Sequence, residues 1–217
     1  MKAFQILLLA GLLYAGTASA VEDPVESCRP KVAGTALALA GEAEKAQLQC
    51  DIDRADHLVA RSARLQPTNK HPAIRIVDTA SPSGAAYIYD IIGPGPSFWL
   101  EARSVPGEDN ERSRVPVCKL SMALPDDVAN PLVAMLATIG SKSLAEYGRR
   151  EEVTINPDGS RRVVLLLDTH DIITTIETPG KVRHFSRHAK ATDEIARINE
   201  MIIGVANISD GWTCNAN

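Results

Sequence analysis

The sequence predicts an α+β fold in which antiparallel sheet packs against helices, in the order helix, strands, helix, strands, helix. Three observations support this fold class. Apolar residues recur at helical spacing in 41–65, short β-rich segments separated by proline and glycine follow, and a second strand-rich region precedes the helical pattern of 191–209. Consecutive strands joined by tight turns pair side by side, so we expect the sheet to be antiparallel.

The first twenty residues, MKAFQILLLAGLLYAGTASA, predict a secretory signal peptide. Lys2 supplies a positive start, an apolar stretch extends to Gly16, and Ala18-Ser19-Ala20 has the small residues that a signal peptidase requires. The apolar stretch is shorter than the roughly 20 residues that cross a bilayer. We therefore predict cleavage near Ala20, a periplasmic or secreted product with no membrane span, and a single α+β domain at 21–217.

The charge of the chain argues against nucleic acid as a partner. The formal net charge is −4, and it becomes −5 without the signal peptide, in which Lys2 is the only charged residue. An acidic chain is repelled by phosphate backbones and by anionic membrane surfaces. We expect the partner to be an exported protein or a small ligand, and no motif in the chain predicts a cofactor.

Four cysteines lie after the predicted signal, and an even number in an exported chain indicates two disulfides. The sequence allows three pairings of Cys28, Cys50, Cys118 and Cys214. We favour Cys28–Cys50 with Cys118–Cys214, because the second bridge would tie the C-terminal tail to the body of the domain. No two cysteines are close enough in sequence for a CxxC-type zinc or redox motif.

The first helix is predicted over residues 41–65, where charged residues surround one apolar stripe. Pro67 and Pro72 would end it. The stripe consists of residues three and four positions apart, namely Leu48, Ile52, Ala55, Val59 and Ala63.

Four strands are predicted next, and a second helix follows them. Three of the strands are AIRIVDT, AAYIYDII and, after the rigid turn GPGP, SFWLEARSV; the fourth is VCKLSMAL. The Pro125-Asp126-Asp127 sequence predicts a helix start, because acidic residues favour the first turn of a helix. We expect this helix to run to about Tyr147.

The second strand-rich region predicts an antiparallel meander of four strands. EEVTI and RRVVLLLD flank the turn NPDGS, and DIITTIE and KVRHFSR flank the turn TPG. The order of elements is also consistent with two similar halves, at 41–124 and 125–210. Matching strand order in two sheets would be the structural sign of such a repeat.

Two histidines four residues apart, His184 and His188, are the candidate metal ligands. On a helix this spacing brings two side chains to about 6 Å, whereas on a strand it separates them by about 13 Å. The TPG turn before them and the helix start after them place 182–188 on a strand. We therefore predict a surface strand with solvated or partner-facing histidines, and no metal site.

The quartet DTHD at 168–171 contains the candidate catalytic residues, His170 with Asp168 and Asp171. A carboxylate beside a histidine can orient it as a general base. Aspartate is also a common turn residue, and the meander must reverse here, so we favour a polar turn. The chain contains no GxSxG, HExxH, SxxK or GxxxxGK motif, which further disfavours an enzyme.

Four of the seven aromatic residues after the signal peptide fall within 87–99, and they are the candidate binding residues. Tyr87 and Tyr89 share one face of their strand, and Phe98 and Trp99 follow the GPGP turn. Tyrosine and tryptophan combine apolar area with a polar tip and often anchor binding surfaces. The alternative is that the four rings fill the core.

Together these features predict a non-catalytic binding or inhibitor-type module for an exported protein or a small ligand. One alternative is a periplasmic or secreted hydrolase that uses His170 with Asp168 or Asp171. Another is a structural envelope protein without a specific site.

Overall fold

A computed structural model of the chain describes residues 40–65, 71–79, 86–106, 116–148, 151–165, 170–178 and 180–215. The predicted signal peptide at 1–20, Cys28 and Asp168 lie outside these ranges. Within them the elements follow as helix, four strands, helix, four strands, helix and a short last strand. The predicted α+β class is confirmed, and the predicted order differs only by the last strand.

The three described helices are long, and most of the strands have five to eight residues. The helices are α1 (Ala40–Leu65), α2 (Asp126–Ser141) and α3 (Glu194–Ile208). The strands are β1 (Ile74–Thr79), β2 (Ala86–Ile92), β3 (Trp99–Val105), β4 (Val117–Ala123), β5 (Glu151–Ile155), β6 (Arg161–Leu165), β7 (Asp171–Thr178), β8 (Lys181–His188) and β9 (Thr213–Asn215).

Seven of the strands form one antiparallel sheet in the order β8-β7-β1-β2-β3-β4-β9. The strand β1 lies inside this sheet, where it pairs with β2 on one side and with β7 on the other. The strand β1 has Ile76 buried against one layer of helices and Val77 against the other. A strand buried on both faces lies in the interior of a sheet, where both of its edges find hydrogen-bonding partners.

The predicted four-strand meander is present as two separate hairpins. The strands β5 and β6 pair around Gly159, which has a φ of +80°, and they form a two-stranded sheet of their own. The strands β7 and β8 pair around Gly180, but β7 pairs with β1 on its other edge. The two predicted halves therefore do not form two sheets of matching strand order, because β7 and β8 extend the sheet of the first half.

Helices cover both faces of the large sheet. On one face α2 and α3 bury the larger core, in which Ile198 and Ile202 of α3 are fully buried. On the other face α1 covers a smaller core through Ala55 and Leu58. Fully burying one such aliphatic side chain contributes about 1.5–3 kcal/mol, so these two interfaces hold the three layers together.

The buried face of α1 differs from the predicted apolar stripe. Its buried residues include Asp51, Ala55, Leu58 and Ser62, so Ala55 is the shared member. The buried face includes polar residues because β8 and β3 present polar groups to it. The hydroxyl of Ser186 on β8 donates to the Asp51 carboxylate.

The helix α2 ends earlier than predicted. It passes through Pro131 and ends at Ser141, and the segment that follows runs alongside β8. Tyr147 forms a parallel bridge with Ser186 instead of belonging to the helix. Among the described elements, no helix has the length and apolar character to cross a membrane.

The bridge between Cys118 and Cys214 is formed, and it joins directly paired residues of β4 and β9. It therefore ties the C-terminal tail to the sheet, as predicted. Cys50 is also disulfide-bonded, but the described ranges do not contain its partner. The Cys28–Cys50 pairing stays a prediction, because Cys28 lies outside the described residues.

Candidate functional site

A cleft of about 700 Å³ lies at the β8 end of the sheet. Its walls are the beginning of α1, the end of α2 with the segment 142–147 that follows it, and the facing ends of β7 and β8. Its apolar lining includes Leu48, Leu136, Ile139, Leu144 and Ile176, and its charged lining consists of Glu44, Lys45, Lys142, Glu146, Lys181 and Arg183.

The cleft wall after α2 is held in place by Arg183 of β8. The guanidinium donates through Nη1 to the carbonyl oxygens of Ile139 at 3.1 Å and Lys142 at 3.4 Å, and through Nη2 to that of Leu144 at 3.2 Å. Its carbon Cζ lies 4.7 Å from the centre of the Phe185 ring. These contacts satisfy carbonyl groups that the end of a helix leaves without partners, and they fix the arginine in one position.

A second arginine of β8, Arg187, holds the remainder of the same segment. Its side chain is fully buried and donates to the carbonyl oxygens of Ala145 at 2.6 Å and Glu146 at 3.0 Å. Asp193 at the start of α3 supplies the counter-charge, with 2.6 Å between Nε and Oδ2. Alternating residues of a strand share a face, so Arg183 and Arg187 flank Phe185 and act on the same segment.

Gly148 completes this arrangement at the end of the segment. Its N–H donates to the carbonyl of Ser186 at 2.9 Å. A Cβ at this position would lie only 2.7 Å from Cδ of Arg187, which leaves no space for a side chain. The close approach of segment 142–148 to β8 therefore depends on glycine here, and it keeps the cleft wall adjacent to the sheet.

The charged lining of the cleft is predominantly positive, with four cationic side chains and two carboxylates. Lys142 pairs with Glu194 of α3 at 2.9 Å. Among the described residues, Lys45, Lys181 and Arg183 have no carboxylate within ion-pair distance. In a chain with a net charge of −4, this is a local excess of positive charge.

A separate cluster surrounds His170, the predicted catalytic histidine. Its Nε2 lies 2.8 Å from Oδ1 of Asp78 on β1, although this oxygen has no partner with hydrogen-bond geometry among the described residues. The structure thus pairs His170 with a residue that the sequence interpretation missed. Asp78 is the next-to-last residue of β1 and shares a face with Ile74 and Ile76, and a carboxylate in this alternation with apolar residues was the available signal.

The surroundings of Asp78 disfavour charge. Burial raises the pKa of the Asp78 carboxyl above its usual range, and the charge of His170 partly opposes this. Burial, followed by the charges of Asp78 and Tyr87, raises the pKa of the Tyr89 hydroxyl well above its usual range. Both effects follow from the position of these groups between the sheet and its helices, where charged forms lose hydration.

The predicted aromatic binding surface is divided by the structure. Tyr89 and Phe98 are buried in the larger core, so neither is available as a surface anchor. The ring of Tyr87 stacks on Tyr89 at 6.5 Å and meets the edge of Trp212 at 6.4 Å. Trp99 is 42% exposed but lies on the opposite face of the sheet, because it alternates with the buried Leu100 next to it.

The histidines His184 and His188 lie on the strand β8, as predicted. His184 lies with its Nδ1 3.1 Å from the Thr175 hydroxyl, and it is partly buried. The prediction was of solvated or partner-facing histidines, and His188 is instead buried, on the face of β8 that also carries Ser186. In the described ranges no group of three His, Cys, Asp or Glu side chains is arranged to hold a metal.

The structure therefore places the candidate site on residues that the sequence interpretation did not select. In the stretch KVRHFSRHAK, the two arginines, each directly before a histidine, hold the cleft wall in place. Their strand alternation around Phe185 was visible in the sequence, but the carbonyl groups they bind are about forty residues away. No local pattern connects those two segments.

Comparisons with known proteins give no family. No protein-family model matches the chain, and no curated protein matches it. A solved structure of Trypanosoma brucei MRP1/MRP2 aligns at 12% identity, over 70% of this chain and 93% of that one, with a TM-score of 0.21. At that TM-score the alignment carries no argument about fold or function.

Proposed function

We propose that this protein is an exported, non-catalytic binding module that takes a small ligand in the cleft between α1, α2 and β8. The cleft itself carries the proposal. Ligand pockets in proteins typically measure 300–1,000 Å³ and combine an apolar lining with a few polar groups, and the cleft of about 700 Å³ fits that description. A small ligand is favoured over a protein partner because the four predicted aromatic anchors do not form one surface.

One wall of the cleft is held in position by the protein's own hydrogen bonds. Arg183 and Arg187 hold the segment 142–148 through five hydrogen bonds to its carbonyl groups and to that of Ile139. A site formed in advance loses less conformational entropy when it binds, which favours affinity. The proposal also includes export of the protein, cleavage near Ala20 and a Cys28–Cys50 bridge in addition to Cys118–Cys214.

A cleft-filling variant tests the proposal. Gly140 lines the cleft, and a Cβ built on it meets no atom within 4 Å, so Gly140→Trp places an indole on the wall without a clash at Cβ. The matched control is Gly204→Trp, since Gly204 is also helical and equally open but lies outside the cleft. A metabolite library would be screened by the shift in melting temperature.

We expect at least one compound that raises the melting temperature of the wild type and of Gly204→Trp but leaves Gly140→Trp unchanged. Such a result would place binding in the cleft. Compounds that act equally on all three proteins would place binding elsewhere and contradict the proposal. A library with no active compound would contradict it as well.

Hydrolysis is the second candidate function, and the Asp78–His170 pair is the observation that favours it. A histidine beside a half-buried carboxylate can serve as a general base that activates water. Turnover of a chromogenic ester that is lost in His170→Ala and retained in His184→Ala would support this candidate. Equal turnover by both variants would contradict it.

A further inference from the structure

We infer that the ligand of the cleft is a soluble amphiphilic anion, with its apolar tail against the leucines of α1 and α2 and its carboxylate or phosphate head near Lys45, Lys181 and Arg183. This inference rests on the proposed function and adds the chemical class of the ligand. It depends on two properties of the lining: uncompensated positive charge, and apolar side chains that remain partly exposed.

The positive charge is uncompensated at three side chains. Within the described residues, neither lysine nor Arg183 has a carboxylate partner, whereas Lys142 nearby has Glu194. Lys45, Lys181 and Arg183 still outnumber the two carboxylates of the same lining, Glu44 and Glu146, so an anion placed among the three cations gains net attraction. A cationic ligand would meet net repulsion, so the charge of the lining selects against it.

Arg183 shows most clearly that a counter-charge is missing. Its Nη atoms donate to three carbonyl oxygens, which are neutral acceptors, and its Nε is buried and donates no hydrogen bond in the described part of the chain. Carbonyl groups orient the guanidinium but do not neutralise it. The neighbouring Arg187, by contrast, meets the carboxylate of Asp193. The arginine on the cleft is therefore the one held in position without an anion.

The apolar half of the cleft favours a tail. Leu48, Leu136 and Leu144 are partly buried in the cleft lining, and Leu136 and Leu144 pack against the larger core, to which Ile139 and Ile176 belong. Covering this apolar area with an apolar part of the ligand removes it from water, which favours binding. A small polar anion such as inorganic phosphate would contact the cationic side chains but leave the apolar lining exposed to water.

The experiment compares ligands that share one half of this structure. Binding to the purified protein is measured by calorimetry with dodecanoate, with dodecyltrimethylammonium, which has the same tail and the opposite charge, and with acetate, which lacks the tail. All probes are kept below the concentration at which they form micelles. Sedimentation with phosphatidylglycerol vesicles tests whether an anionic membrane surface is bound instead.

We expect dodecanoate to bind at least tenfold more tightly than either other probe, and Gly140→Trp to abolish the binding. Lys45→Gln combined with Lys181→Gln is expected to weaken dodecanoate binding about fivefold, since each exposed charge pair contributes modestly. Lys119→Gln combined with Lys190→Gln removes the same charge from exposed lysines outside the cleft, and should leave the affinity unchanged. Raising the salt concentration should weaken binding for the same reason.

The outcomes separate this inference from the proposed function. Equal binding of both dodecyl compounds, abolished by Gly140→Trp, would overturn the anionic class and leave the cleft as a binding site. Dodecanoate binding that Gly140→Trp does not affect would overturn the inference by placing the ligand elsewhere. Failure to bind dodecanoate, with or without sedimentation of vesicles, would overturn it too, while the metabolite screen decides the proposed function independently.

Discussion

Removing the carboxylate of Asp90 should destabilise the protein more than removing any surface charge. Asp90 on β2 is buried between the sheet and α1, and its side chain is 3% exposed. Its Oδ1 lies 2.6 Å from Nε of Arg75, and its Oδ2 lies 2.8 Å from Nη1 of Arg103. The two arginines belong to β1 and β3, the strands on either side of β2. One carboxylate therefore links three neighbouring strands on the face of the sheet that α1 covers.

The magnitude follows from the exposure of the two arginines. The side chain of Arg103 is 5% exposed, its Nε donates to Ser62 of α1, and its Nη2 already lacks a partner in the described residues. Without Asp90 this charge is buried and unpaired, which costs roughly 3–5 kcal/mol. The side chain of Arg75 is 24% exposed and can turn toward water, so losing its ion pair with Asp90 adds at most about 1 kcal/mol.

Urea unfolding with the disulfides intact would measure the effect of Asp90→Ala, for which we expect a loss of about 3–5 kcal/mol in the free energy of unfolding. The double variant Asp90→Leu with Arg103→Met should be destabilised much less than Asp90→Ala, because an apolar pair of similar volume leaves no buried charge. Glu194→Gln, which breaks the exposed pair with Lys142, serves as the control and should have a much smaller effect, because water screens an exposed ion pair. A loss no larger for Asp90→Ala than for this control would refute the reasoning.

Burial raises the pKa of the Asp78 carboxyl in the folded protein above its unfolded value of 3.8. Just above pH 3.8 the folded protein therefore binds more protons than the unfolded chain. The stability that protonated Asp78 contributes at low pH is lost as the pH rises through the folded pKa. Asp78→Asn should therefore raise the melting temperature at pH 7 but not below about pH 4, which thermal unfolding across this range would check. Replacing both halves of Cys118–Cys214 with serine should lower the free energy of unfolding in urea by roughly 2–5 kcal/mol, because the bridge closes a loop with a sequence separation of 96. Gly148→Ala should lower the free energy of unfolding by roughly 1–3 kcal/mol, because a Cβ there overlaps the buried Arg187. Gly204→Ala is the control: its Cβ meets open space, so it should raise that free energy by roughly 0.5–1 kcal/mol. Equal stability of the two variants would contradict the close approach at Gly148.

Local sequence patterns predicted the helices and strands better than they predicted which strands pair with each other. The strand over 182–188 followed from a turn before it and a helix start after it, and both features are short-range. The meander prediction was wrong in its pairing, because the strand β7 binds β1 about a hundred residues earlier in the chain. Turn residues determine which strands can reverse direction, but the free edge of a distant strand determines where a hairpin joins the sheet.

The helix α1 shows a second limit of sequence patterns. Its apolar stripe predicted the helix correctly, yet its buried residues include Asp51 and Ser62. Polar residues on a helix are expected to face water, but here Ser186 and Arg103 of the sheet provide their partners. A buried polar residue is stable once it is hydrogen-bonded, and its partner lies in a part of the chain that the helical pattern does not include.

The sequence by itself determined the α+β class, the three helices and the hairpin turns, because apolar periodicity and the positions of glycine and proline act over short distances in the chain. It favoured the Cys118–Cys214 bridge among three possible pairings, and the structure shows that this bridge is formed. Only the tertiary structure decided that Asp78 meets His170, that the aromatic cluster is divided between core and surface, and that Arg183 holds the end of α2 beside a positively charged cleft. Those features arise where segments far apart in the chain meet. Their free energies depend on burial and on distances between charges, and neither quantity exists until the layers have packed.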